Sequence, residues 1–388
     1  MRYAASIVQL LTIFIFTIWT HLCSLFQYYC CQSVAPAVVI PPDLVTSMST
    51  WCHTAMMTLD GSKLWMNTTM EPSNIFKGMR IENDNIVFLL KFHCFTNLAK
   101  DKGSLPSSSY PSVRAGVQYI IESVVKELAK DPDKKFIQVE TGFFWRWWED
   151  KNEYMRNLTQ TLVDAGQLVF TGGGWSMNDE AVTHYTSIID NMETGLNWLV
   201  DNLGECAVTN IAWQIDPFGH SKEQARLFAE MGFEGLFFAR IDKADKEIRK
   251  RDKSLQMWWY GGEEDEDTSK IFTGVFDNHY SSPTGFNFDI LAQDEPINDN
   301  PRLEEYNVDE RLAEFEQFVL DHVKYYKDQE HIMFTMGDDF TYQNARQNYK
   351  NMDKLIKHMN EKSEETGIHL MYSTPACYLQ VIIVSFFT

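Results

Sequence analysis

The sequence predicts an α/β protein built as a parallel barrel, with its chemistry at the ends of the strands. Three observations carry this expectation. From about residue 85, short apolar runs alternate with amphipathic helical stretches. Six to eight such units suggest a closed barrel rather than an open sheet. Acidic residues follow several of the apolar runs, where the loops of a barrel form its mouth.

The units read in order as follows. Ile86 to Leu90 is a buried strand, and Val117, Ile120, Ile121, Val124, Val125 and Leu128 fall at helical spacing. Phe136 to Glu140 is a strand and Leu158 to Leu168 a helix. Leu168 to Phe170 is a strand running into Thr171-Gly172-Gly173-Gly174-Trp175. Ile188 to Leu203 is a helix stopped by Gly204. Asn210 to Ile215 is a strand, Glu223 to Met231 a helix and Leu236 to Ala239 a strand. Residues 241–310 break the alternation, with an acidic run, Glu263 to Asp267, and one strand, Ile271 to Phe276. A helix from Leu312 to Tyr326, a strand from His331 to Thr335, a helix from Asn344 to Met359 and a strand from Ile368 to Tyr372 complete the series.

The ends of the chain read differently. Residues 1–33 have the form of a signal peptide or signal anchor: a positive start, then an apolar run from Ile7 to Trp19, with Ser33-Val34-Ala35 as a small-residue cleavage site. Residues 34–84 are a poorly organised lead-in, 85–379 the barrel and 380–388 a divergent apolar tail. Export gives meaning to two glycosylation sequons, Asn67-Thr68-Thr69 and Asn157-Leu158-Thr159. It also allows disulfides among Cys52, Cys94, Cys206 and Cys377, whose pairing stays open. A net charge of −20 argues against nucleic acid as a partner, and against membrane contact beyond the signal segment. Aromatics make up 14% of the chain, enough to build a core and to line a sugar site.

The strand ends bring together Glu140, Trp175 with Asn178 and Asp179, Asp216, Arg240, and Asp338 with Asp339. One acidic strand end is ordinarily a helix cap. Several in succession point to a pair of carboxylates across a pocket, the minimum for glycoside hydrolysis. One attacks or stabilises the anomeric carbon; the other donates a proton to the leaving oxygen. Metal coordination or a nearby cation such as Arg240 would keep a nucleophilic Asp216 ionised, and Phe218 is a ring on which a sugar could stack.

These motifs resemble glycoside hydrolase family 38, in its lysosomal type of α-mannosidase. The resemblance runs from about Ala115 to Leu379. It rests on Arg146-Trp147-Trp148, on Gly173 to Glu180, on Gln214-Ile215-Asp216-Pro217-Phe218-Gly219-His220-Ser221, on Thr335 to Phe340, and on Tyr372 to Leu379. It implies a seven-stranded barrel, here incomplete at its first strand loop and its C-terminus. It implies a retaining exo-α-mannosidase of the secretory pathway, lysosome or extracellular space, acting on mannose-terminated oligosaccharides with one Zn2+. Asp216 then becomes nucleophile and zinc ligand, and Asp339 the acid/base. Phe218, Arg240, Tyr280 and Trp175 become substrate-pocket residues. His93, in Phe92-His93-Cys94-Phe95, becomes the histidine ligand.

The chain departs from that pattern in two places. Phe95 stands where an aspartate ligand is expected, and the motif carrying the last zinc histidine is not found after Leu379. Asp216 and His93 fall short of the four protein ligands of a stable zinc site, so impaired activity is expected. A non-catalytic mannosidase-like remnant that binds mannosides is the alternative. A polysaccharide deacetylase on a similar barrel is weaker, because its closely spaced Asp/His set is missing.

Overall fold

Parallel strands, several of them buried along their length, build the described interior of this molecule. A computed structural model describes residues 85–90, 116–262, 269–292 and 294–387, all within one compact unit, Asn83–Phe387. The signal segment, the lead-in with its sequon, His93 and the acidic run Glu263–Asp267 lie outside the described residues. The described strands are β1 (Asn85–Leu90), β2 (Phe136–Gln138), β3 (Leu168–Phe170), β4 (Ile211–Trp213), β5 (Gly235–Phe238), β6 (Gln256–Tyr260), β7 (Lys270–Val275), β8 (His331–Thr335) and β9 (Ile368–Tyr372). The helices are α1 (Val117–Leu128), α2 (Thr141–Glu149), α3 (Glu153–Asp164), α4 (Tyr185–Leu203), α5 (Lys222–Glu230), α6 (Lys243–Asp252), α7 (Val308–Val323), α8 (Ala345–Glu361), the single turn α9 (Ser363–Thr366) and α10 (Pro375–Phe387).

The fold is α/β, as expected, but the described strands do not close into one hydrogen-bonded ring. They form three groups, ordered β8-β1-β9, β2-β3 and β4-β5-β7-β6. Every pairing is parallel except β6 with β7. Just past β3, Gly172 N donates to Ile211 O of β4 at 2.8 Å and ties the second group to the third. Strands β2, β4 and β5 are buried at every position. Such strands read as unbroken apolar runs because helices cover both faces of the sheet. Ile120, Ile121, Val124, Val125 and Leu128 of α1, and Tyr349, Met352, Leu355 and Met359 of α8, form two of the covering faces.

Four elements differ from expectation. Helix α3 starts five residues before Leu158, because the Asn152 side chain accepts from Met155 N and caps it there, and Gly166 at φ 60° follows its end. Helix α2 takes the aromatic run after Glu140, burying Phe144, Trp147 and Trp148 at helical spacing. Helix α6 buries no residue, so it shows no apolar period to read. Strand β6 is antiparallel, and its Trp258, Trp259 and Tyr260 are partly or wholly exposed. The last apolar residues belong to α10, where Tyr378, Leu379, Val381 and Ile382 are buried. None of the helices is long and apolar enough, among the described residues, to cross a membrane. Two cysteines are described, Cys206 and Cys377, and no disulfide joins them to each other.

Candidate active site

Adjacent parallel strands deliver Asp216 and Arg240 to the same place. Trp213 of β4 is in register with Phe237 of β5, and Gln214 N donates to Phe237 O at 2.9 Å. Buried Ile215 and Ala239 then carry the two chains out to Asp216 and Arg240. Arg240 Nε lies 3.0 Å and Nη2 2.9 Å from Asp216 Oδ1. Nη2 also donates to Tyr280 Oη at 3.3 Å. The guanidinium sits 5.0 Å from the centre of the Phe218 ring and 5.6 Å from that of Tyr280. Four of the expected residues thus form one cluster, with a fixed cation against the carboxylate. Asp216 Oδ2 accepts no hydrogen bond from another described residue, which leaves it open for chemistry. Phe218 is 81% exposed, an apolar platform standing beside two charges.

Glu140 lies behind this cluster. It ends the β2 run in a left-handed conformation, φ 59°, which costs energy for a residue with a side chain. Its Oε1 accepts from Met177 N at 3.1 Å, and its buried Oε2 has no hydrogen-bond partner among the described residues. Burial pushes its carboxyl up to about 8; the Met177 N–H opposes this and the charge of Asp216 adds to it. Glu140 lines a small pocket of about 10 Å³ with Thr171, Met177, Trp213 and Gln214.

The loop after β7 connects Asp216 with the paired aspartates. Thr335 Oγ1 donates to Ser281 O at 3.1 Å, and Ser282 N donates to Gly337 O at 2.9 Å. His279, at φ 59°, stacks against Tyr280 with centroids 4.1 Å apart. Burial lowers its pKa, as do Arg240 and Lys246, while Asp338 and Asp216 oppose the shift. Asp338 is engaged by its own turn: its Oδ1 accepts from Asp339 N at 2.8 Å. Asp339 is half-buried with Oδ1 shielded from solvent, in a turn that continues through Phe340 at φ 60°. Among the described residues, no ring contact or hydrogen bond joins Trp175 to the Asp216 cluster. Its ring lies 5.2 Å from that of Trp145, over the start of α2.

Sequence comparison decides the family. The profile of the Glycosyl hydrolases family 38 N-terminal domain matches residues 104–384. The chain belongs to glycosyl hydrolase family 38. The family match begins before Ala115, where the resemblance starts, and enters the apolar tail. Lysosomal alpha-mannosidase of Cavia porcellus is 44% identical over 268 residues, covering 69% of this chain and 26% of the relative. Lysosomal alpha-mannosidase of Dictyostelium discoideum is 38% identical over 301 residues, 76% of this chain and 29% of the relative. Alpha-mannosidase of Canavalia ensiformis is 42% identical over 267 residues, 69% and 27%. The chain therefore spans about a quarter of the length of these relatives. The crystal structure of an alpha-mannosidase from Enterococcus faecalis V583 superposes with a TM-score of 0.55 at 18% identity, over 78% of this chain and 29% of that one. At that identity the likeness concerns the fold alone.

Family 38 membership raises zinc as a cofactor. Of the expected ligands, Asp216 is described and His93 is not. The described residues hold one group of three candidate ligands, Asp328, Glu330 and His331. It lies at the start of β8, the opposite end of that strand from Asp338 and Asp339. One carboxylate, with one oxygen taken by Arg240, does not make a zinc site by itself. Sequence reasoning missed His279. Its place next to Tyr280, just past a strand, was the available signal. Glu140 was noted only as an acidic strand end; its burial was not readable.

Proposed function

We propose that this chain provides the Asp216 half of a retaining exo-α-mannosidase site that removes terminal α-mannose from N-glycans. One observation carries the proposal: a carboxylate with a free oxygen is held against a fixed guanidinium, beside an exposed phenylalanine. A sugar stacked on Phe218 would place its anomeric carbon before Asp216, with Arg240 and Tyr280 as donors for its hydroxyls. Asp216 forms a bond to that carbon as the glycosidic bond breaks, and Asp339 gives its proton to the leaving oxygen. Water then gives a proton back to Asp339 and displaces Asp216 with a second inversion, so configuration is retained. The seven-stranded closure of the barrel is part of the same proposal, and so is residence in the secretory pathway or lysosome, where mannose-rich glycans are degraded. The 44% identity to a lysosomal alpha-mannosidase supports both.

A mannoside-binding protein without turnover is the second reading, favoured by the short ligand set around Asp216. Turnover of a chromogenic α-mannoside by the full chain, with bound zinc measured on the same sample, separates the two. The enzyme reading expects hydrolysis that is abolished in Asp216→Asn and in Asp339→Asn. Folded protein that binds mannose but gives no product would refute it.

A further inference from the structure

A buried carboxylate–imidazole pair sits beneath the loop that carries Asp216. Glu180 and His220 have side chains only 1% and 5% exposed. Glu180 Oε1 accepts from Gln214 Nε2 at 3.1 Å and faces His220 Nδ1 at 2.9 Å. Glu180 Oε2 accepts from Ser221 N at 2.8 Å. One carboxylate therefore binds the loop on both sides of Asp216, two residues before it and four and five residues after it. The far side of the imidazole continues the chain of contacts. A carbonyl oxygen can only accept, so His220 Nε2 donates to Arg240 O, 2.8 Å away. The ring lies flat on Phe238, with centroids 3.9 Å apart and planes at 26°.

A closed circuit results. It runs from Asp216 along its loop to His220, across to the Arg240 main chain, out along the Arg240 side chain and back to Asp216 Oδ1. Three segments distant in sequence supply it: the loop after β3 with Glu180, the loop after β4 with Gln214 and His220, and the end of β5 with Arg240. None of these four contacts exceeds 3.1 Å. Such supporting partners fix the orientation of groups that act directly, and removing one commonly costs 10–100-fold in activity. An isolated buried carboxylate would be costly, so this placement is maintained against a desolvation penalty.

We infer that Glu180 and His220 are positioning residues of the Asp216 site, which together set the distance between the Asp216 carboxylate and the Arg240 guanidinium. This rests on the proposal that Asp216 and Arg240 act on a mannoside. Neither residue touches the sugar; both act through the loop and the Arg240 backbone.

Three full-chain variants test it. Glu180→Gln keeps size and replaces the carboxylate that Gln214, His220 and Ser221 share. His220→Gln places an amide near the former Nε2 position and keeps the link to Arg240 O. His220→Asn places its amide near the former Nδ1 position and drops that link. The readouts are kcat and KM on a chromogenic α-mannoside, and the NMR signal of the Arg240 Nε–H, identified by its loss in Arg240→Lys. Glu180→Gln and His220→Asn are expected to lower kcat by on the order of 10–100-fold, with KM changed by less than about threefold. Both are expected to lose or broaden the Arg240 signal. His220→Gln is expected to retain the signal and to stay within about threefold of the parent kcat. A merely structural pair would lower the melting temperature alike in all three and leave the Arg240 signal in place. That result, or an unchanged kcat in Glu180→Gln, overturns the inference. If the parent chain gives no turnover, the proposed function fails and the Arg240 signal decides alone: loss in His220→Asn with retention in His220→Gln upholds the pair, and equal behaviour of the two overturns it. If Glu180→Gln does not fold, the two His220 variants carry the same comparison.

Discussion

Arg240 shows why residue type matters at this site. Its two nitrogens on one oxygen of Asp216, and its ring contacts with Phe218 and Tyr280, need a planar fork. Lysine keeps the charge and loses the fork. Arg240→Lys is expected to cost on the order of 10–100-fold in kcat/KM, with a melting temperature close to the parent's, since the pair is partly exposed. A variant with full activity would show that charge alone suffices. Glu140 gives a pH dependence. Its carboxyl is lifted from 4.5 to about 8 in the folded state, first by burial. The native protein thus holds a proton that the unfolded chain releases above pH 4.5. This contribution to stability is complete below about pH 4.5 and is lost as pH rises toward 8. Glutamine mimics the protonated form, so the fall in melting temperature between pH 5 and 8 should shrink in Glu140→Gln; an equal slope in both proteins would count against the assignment. At this scale the sequence identified Asp216, Phe218, Arg240 and Tyr280 through their motif positions. It could not show that the Trp175 ring packs at a tilt against Trp145, because that contact depends on where α2 lies.

Elements were legible where apolar residues repeat at a fixed period. Helices α1, α4 and α5 and strands β3 and β8 lie within a few residues of their expected bounds, because the helices each bury one patterned face and β8 buries four successive residues, Ile332 to Thr335. Helix α6 was not legible, since capping and charge hold it without burial. The Asp242 side chain accepts from Ala244 N and Asp245 N, and Arg249 pairs with Asp245 at 2.9 Å. Asp242→Ala should destabilise α6 by about 1 kcal/mol, seen as faster amide exchange confined to that helix. Protection unchanged across Lys243–Asp252 would mean that the cap contributes little. Helix α4 has the reverse sensitivity. A Cβ at Gly195 would lie 2.1 Å from Gly173 O and 2.5 Å from Trp175 N, both main-chain atoms of the loop leading to Glu180. Gly195→Ala should therefore cost roughly 1–3 kcal/mol or more and weaken turnover through that loop. Parent-like stability would show that the loop can move aside.

Over the whole molecule, a net charge of −20 opposes compaction and repels anionic partners. Raising salt from about 0.01 to 0.15 M shortens the screening length from about 30 to about 8 Å, so the melting temperature should rise with added NaCl at neutral pH. A flat response would place the acidic residues too far apart for repulsion to matter. The sequence by itself determined the α/β class, the family and the position of the Asp216 motif, because periodicity and ordered motifs are local and survive without coordinates. The tertiary structure alone decided how those pieces meet. Neighbouring strands put Arg240 on Asp216, burial raised Glu140, and the Glu180–His220 pair joined three loops separated by up to 60 residues. Such contacts depend on which strand ends are neighbours and on what is shielded from water, and neither is written in local sequence.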